Sequence, residues 1–151
     1  MSLKDKLTED MKTAMKAKDE GKLRLSVIRM VKAAIKNAEI DKKKEFSDAE
    51  VVEVLAREVK MRRDAIPEFE KANRPDSVEQ LNQEIAILLE YLPQQLSADE
   101  IRKLAQEVMD QVRAQGPKDL GKVMGALTPK TKGRADGKIV NQIVRELLGT
   151  S

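Results

Sequence analysis

The chain reads as an all-α protein, and three observations predict it. Aromatic residues make up only 2% of the sequence, while charged residues make up 36%. A core must then be assembled from Leu, Ile, Val, Met and Ala, which suits helices with narrow apolar stripes better than a β-sandwich or barrel. Apolar residues recur every three or four positions over most of the length, the spacing of one helix face. Three capping boxes, Ser47-x-x-Glu50, Ser77-x-x-Gln80 and Ser97-x-x-Glu100, each stand ahead of such a period. In that motif the Ser hydroxyl accepts from a free backbone N–H of the first turn, and the Glu or Gln reaches back to the cap.

Taken in order, Leu3, Leu7, Met11, Ala14 and Met15 mark a first helix over residues 3–17, interrupted by Asp19-Glu20-Gly21. Leu23, Val27, Met30, Val31, Ala34 and Ile35 mark a second, to about residue 39, followed by a charged loop over 41–46. The box at Ser47 opens a third helix striped by Val52, Leu55 and Val59, which Pro67 should kink or end because it cannot donate to the helical ladder. Asn73-Arg74-Pro75-Asp76 reads as a turn, and the box at Ser77 opens a fourth helix with Leu81, Ile85 and Leu88 on one face. Leu92-Pro93-Gln94-Gln95-Leu96 breaks it from a fifth helix over 98–115, stopped by Gly116-Pro117. A short helix over 119–127 and a last one over 137–148, capped by Asp136, complete the chain. The punctuation divides it into an irregular multi-helical N-terminal domain, residues 1–95, and a small three-helix C-terminal bundle, residues 96–151.

The chain has no Cys and no His. That excludes disulfides, thiol nucleophiles, Cys/His metal sites and Ser-His-Asp chemistry. No metal site, cofactor or catalytic residue is expected. The N-terminus is charged from Lys4 and lacks the apolar stretch of a signal peptide, and no apolar run is long enough to span a membrane, so a cytoplasmic location is expected. The charge is unevenly spread. From Val112 to Ser151 there are eight Lys/Arg against three Asp/Glu, whereas the first 111 residues hold 21 against 23. Such asymmetry points to a basic, partner-facing C-terminal part.

The stretch from Gly121 to Lys138 concentrates this pattern, with five Lys/Arg, four Gly and one Pro. Two helical glycines, Gly121 and Gly125, cost about 1 kcal/mol each relative to Ala, which some contact should offset. Tight helix packing within the bundle is one reading, and close approach of an RNA backbone is the other. After them, Lys130, Thr131, Lys132, Gly133 and Arg134 read either as a solvated connection, with Gly133 at positive φ, or as a phosphate-binding turn. In the second reading Lys122, Lys130, Lys132, Arg134 and Lys138 supply charge, Thr131 and backbone N–H groups supply donors, and the next helix N-terminus adds its dipole. Arg29, Lys32 and Lys36 on the second helix, and Arg57, Lys60 and Arg63 on the third, read as solvated faces or as a second RNA-contacting face. Tyr91, the one tyrosine, is expected to pack at the domain junction beside Pro93, with its hydroxyl on a polar partner. With Phe46 and Phe69 the only other aromatics, a multi-base stacking platform is not expected.

Several motifs resemble the GatB/YqeY family over essentially the whole chain, in its free-standing YqeY form. They are Arg57-Glu58-Val59-Lys60-Met61-Arg62-Arg63-Asp64, Glu90-Tyr91-Leu92-Pro93-Gln94-Gln95-Leu96-Ser97, Gly121-x-x-x-Gly125, Lys132-Gly133-Arg134-Ala135-Asp136-Gly137 and Val140-Asn141. The later ones are similar to the tail of GatB, a subunit of transfer-RNA-dependent amidotransferase, with Gly137 where that tail usually has Pro. The resemblance implies the all-α, two-part fold and, for the tail, contact with transfer RNA. The nucleotide- and ammonia-handling domain of GatB has no counterpart here. Binding of transfer RNA is thus the expected function. A protein-docking module, recognisable by exposed apolar surface near Met124 and Leu127, is the alternative, and a carbon–nitrogen ligase in its own right is the third.

Overall fold

The computed structural model describes residues 1–149, and all regular structure in them is helical. The packing divides the chain into two compact units, Met1–Leu92 and Pro93–Ser151.

The first unit is built from α1 (Leu3–Lys16), α2 (Lys22–Lys42), α3 (Asp48–Lys71) and α4 (Pro75–Leu89). Its core joins Leu7 of α1, Val27, Ile28, Val31 and Ile35 of α2, Val51, Leu55 and Val59 of α3, and Ile85, Ile87 and Leu88 of α4. A 3-10 turn, Lys18–Gly21, reverses the chain between α1 and α2. Gly21 is buried there, and a Cβ on it would lie 2.2 Å from the Ala14 carbonyl oxygen. The two helices therefore meet backbone to backbone.

The box at Ser47 forms as predicted: its hydroxyl accepts from the Glu50 N–H, and Glu50 accepts from the Ser47 N–H. That second bond, ahead of the nearby Lys44, holds the Glu50 carboxyl below the usual carboxylate range. A box at Ser2 and Asp5, not anticipated from the sequence, caps α1 in the same way. The box at Ser77 does not form. Helix α4 starts three residues earlier because Pro75 has a preset φ and needs no N–H partner at the first helical position. Gln80 instead donates to Glu84, one turn on. Pro67 does not end α3, which continues four residues to Lys71. Pro67 is exposed, on a side of the helix where a carbonyl left without its N–H partner can be hydrated, so the missing N–H costs little. Helix α2 runs past the expected end into the charged loop, and Lys43 closes it in the left-handed conformation at φ 54°.

Inside this unit Arg62 is buried at 6% exposure. Its Nη1 donates to the Glu58 carboxylate and carbonyl, both at 3.0 Å, and its Nε donates to Glu84 Oε1 at 2.9 Å. Tyr91 is buried among the core residues and donates to Asp10. Burial, and then the Asp10 carboxylate, push its phenol well above the ordinary tyrosine value. Its covered ring offers no open face for a base.

The second unit is a three-helix bundle of α5 (Ala98–Val112), α6 (Leu120–Thr131) and α7 (Gly137–Leu148). Ile101, Ala105 and Val108 meet Val123 and Leu127, and Val140, Ile143, Val144 and Leu148 close the core. The box at Ser97 opens α5, and Asp136 caps α7 by accepting from the Lys138 N–H at 2.9 Å. Helix α5 stops before the predicted Gly116-Pro117, at a left-handed Arg113 with φ 55°.

Candidate nucleic-acid interface

Helix α6 shows two faces. Val123, Leu127 and Thr131 are buried. Gly121, Gly125 and Thr128, at i, i+4 and i+7, are exposed on the other side, with Lys122 and Pro129 beside them. A Cβ built on Gly121 or Gly125 would meet no atom within 4 Å. The expectation that these glycines serve tight packing in the bundle is therefore corrected: they lie on solvent, not under a neighbouring helix. Replacing both by Ala should stabilise the unit by about 0.5–1 kcal/mol per site, because helix propensity is gained and nothing is displaced. Urea unfolding of the double variant measures this, and a lowered midpoint would mean that the glycines are needed for packing after all.

Helix α6 also extends beyond its predicted end. Pro129 lies inside it, and Lys130 and Thr131 form its last turn rather than a loop. The connection proper is Lys132 to Asp136. Gly133 adopts φ 76°, the positive value expected of it in the reading of this stretch as a plain connection. Thr131 is buried at 4% exposure, its hydroxyl faces the Thr128 carbonyl, and its own carbonyl accepts from the N–H groups of Arg134 and Ala135. It is closed to an anion, so its expected role as a phosphate donor is corrected. Lys122, Lys130, Lys132 and Lys138 are exposed. Arg134 is half-buried and donates through Nε to the Gln94 carbonyl at 3.2 Å.

That last contact belongs to a brace the sequence reading did not foresee. The segment before α5 lies along the turn. Leu96 N–H donates to the Arg134 carbonyl at 2.8 Å, and Gln95 Nε2 donates to the Gly133 carbonyl at 2.9 Å and to the Pro93 carbonyl at 2.9 Å. Pro93 itself is exposed and serves through its carbonyl. The Pro93-Gln94-Gln95-Leu96 stretch thus fixes a turn about forty positions away in sequence. The only sequence signal was that both stretches carry the family resemblance. A fixed turn next to a capped helix holds the backbone positions of Lys132 and Lys138.

Met124 is half-buried and Leu127 fully buried, so the exposed apolar surface expected for protein docking at these residues is absent. In the first unit Arg57 is exposed, Lys60 pairs with Asp64 at 3.4 Å, and Lys32 donates to the Thr8 hydroxyl. Among the described residues, no helix is long and apolar enough to cross a membrane.

The family described as Yqey-like protein matches residues 4–148. The chain belongs to the YqeY-like family. Among curated relatives, the Altered inheritance of mitochondria protein 41, mitochondrial, of Kluyveromyces lactis is 37% identical over 130 residues, covering 83% of this chain and 69% of that protein. Its namesake in Lachancea thermotolerans is 40% identical over 89 residues, covering 58% of this chain and 46% of the relative, about half its length. A component of the Glutamyl-tRNA(Gln) amidotransferase of Thermococcus sibiricus is 40% identical over 55 residues, 34% of this chain but only 9% of that protein. The relation to a component of such an amidotransferase thus holds, although the one matched is named differently from the GatB to which the motifs pointed.

Proposed function

We propose that the chain binds structured RNA, transfer RNA in the first place, through the basic surface of its second unit. The observation that carries this reading is the open side of α6. Two helical glycines are left uncovered there with Lys122 beside them, and Lys130, Lys132 and Lys138 are exposed further along the chain. A backbone without side chains allows a phosphodiester chain to come close, and lysines supply the charge that phosphates require. Support also comes from the relative whose name places it in an enzyme of glutamyl-tRNA(Gln). With one buried Tyr and few aromatics, recognition relies on shape and backbone rather than on stacked bases. The reading requires a compartment where translation proceeds; the cytoplasm is one, and the relatives named mitochondrial point to another.

Filter binding of the full chain to transfer RNA at several salt concentrations tests the proposal. Affinity should fall steeply with salt, because each neutralised phosphate releases counterions. The triple variant Lys122→Gln, Lys130→Gln, Lys132→Gln should bind about tenfold or more weakly, with a salt slope reduced by about 2 to 3. Lysine variants are preferred to Arg134→Ala, which would also release the turn from Gln94. Unchanged binding by the triple variant rejects the surface, and no saturable binding at low salt rejects the function.

A further inference from the structure

The buried charge of the first unit comes to the surface at one point. Arg62 of α3 is 6% exposed, and carboxylates engage two of its nitrogens: Nε donates to Glu84 and Nη1 to Glu58. Its third nitrogen, Nη2, donates across to α2, to the thioether sulfur of Met30 at 3.9 Å. Met30, which helical spacing placed in the apolar stripe of α2, is instead 50% exposed. A charged donor held in the interior therefore faces a weak acceptor, and that acceptor is open to small solutes.

An oxygen on that sulfur would serve Arg62 better. Hydrogen bonds from a charged N–H to oxygen are about 2.7–2.9 Å long and roughly twice as strong as neutral ones. One of that length, bent at an oxygen carried on the sulfur, spans the 3.9 Å between Sδ and Nη2. A free anion is the wrong partner, because one guanidinium stands against two carboxylates and the cluster is already negative. A neutral, strongly dipolar S=O group meets no such repulsion. We propose that Met30 is a site of reversible oxidation, where the sulfoxide oxygen accepts from Arg62 Nη2 and ties α2 more firmly to α3 and α4. The oxidant is a hydroperoxide. The sulfur lone pair attacks its outer oxygen, the O–O bond breaks, and the proton on the transferred oxygen passes to the departing one. Sulfur loses two electrons and the peroxide gains them, leaving sulfoxide and, from hydrogen peroxide, water. Sulfoxides commonly disrupt packing, and sulfoxide reductases restore the thioether. Here the half-exposed side chain keeps the new dipole hydrated while its oxygen meets a donor already in place. The inference concerns the first unit and does not depend on RNA binding by the second.

Urea unfolding of the full chain and of Met30→Leu, each before and after hydrogen peroxide, tests the proposal. Peptide mass mapping establishes the sulfoxide at residue 30. The Met30→Leu pair supplies the effect of the other methionines, including Met15 and Met61 at 50% and 54% exposure. With that effect subtracted, oxidation at Met30 should lower the unfolding equilibrium constant about tenfold, and a methionine sulfoxide reductase should reverse the change. Met30→Gln places an amide carbon and oxygen where the sulfoxide has sulfur and oxygen. Its unfolding midpoint should exceed that of Met30→Leu without any oxidant. The Nη proton signals of Arg62 should shift and exchange more slowly with water in both the oxidised chain and Met30→Gln, which a general change in packing would not produce. No sulfoxide at residue 30, a net effect of zero or of opposite sign, Met30→Gln no more stable than Met30→Leu, or unaltered Arg62 signals overturns the inference.

Discussion

Replacing Arg62 by methionine should cost the fold about 3–5 kcal/mol, the typical penalty for removing one partner of a buried ion cluster. Arg62 is covered by α2, α3 and α4, and its guanidinium serves two carboxylates, Glu58 and Glu84, whose side chains are 11% and 12% exposed. Without it, two acids share a poorly solvated site with no counter-charge. Methionine restores most of the volume, so the loss is electrostatic. A second variant makes this decidable. Glu58→Leu and Glu84→Leu added to Arg62→Met should recover most of the stability, because a cluster replaced whole by apolar groups leaves nothing unpaired. Urea unfolding of the three proteins measures both steps. A triple variant no more stable than the single one would place the cost in packing instead.

The second large effect is expected at Gly21. Its conformation is open to any residue, with φ −96°, so backbone strain is not the reason for glycine there. The reason is space. A methyl group would sit 2.2 Å from the Ala14 carbonyl oxygen and 2.8 Å from the Ala14 Cα. These are backbone atoms of a packed helix and cannot rotate away. Gly21→Ala must push α1 from α2, disturbing the core that Leu7 shares with Val31 and Ile35. Overpacking of this kind costs about 1–3 kcal/mol, and backbone contact puts Gly21→Ala at or above the upper end. The unfolding midpoint of Gly21→Ala, set against that of Gly125→Ala, gives the comparison. The first should fall and the second should hold or rise.

These glycines show where the sequence was legible. Helical spacing and the Ser47 and Ser97 boxes are local signals, and they located the helices because a cap and a stripe are decided within a few residues. The box at Ser77 failed for a local reason as well, since Pro75 offered an earlier start. The environment of a glycine is a different matter. Gly121-x-x-x-Gly125 has the spacing of a packing motif yet faces solvent, whereas Gly21 looks like a plain interruption yet is wedged against α1. Nothing in a one-dimensional pattern reports what lies opposite a missing side chain. The same holds for Arg62, which stood among the charged side chains of a stretch that read as a solvated face. The Pro93–Leu96 brace on the Gly133 turn was hidden too, because bonds to carbonyl groups leave no mark on residue type. Of the anion-binding set, the exposed lysines were legible from charge alone, and the burial of Thr131 was not.

The open glycines on α6 have a practical consequence. The chain contains no cysteine. A cysteine placed at Gly121 or Gly125 would be its single thiol, on a rigid helix, with free space around its Cβ. A fluorophore or spin label attached there would report distances from the proposed RNA face, and no native residue would have to be removed to make the labelling unique.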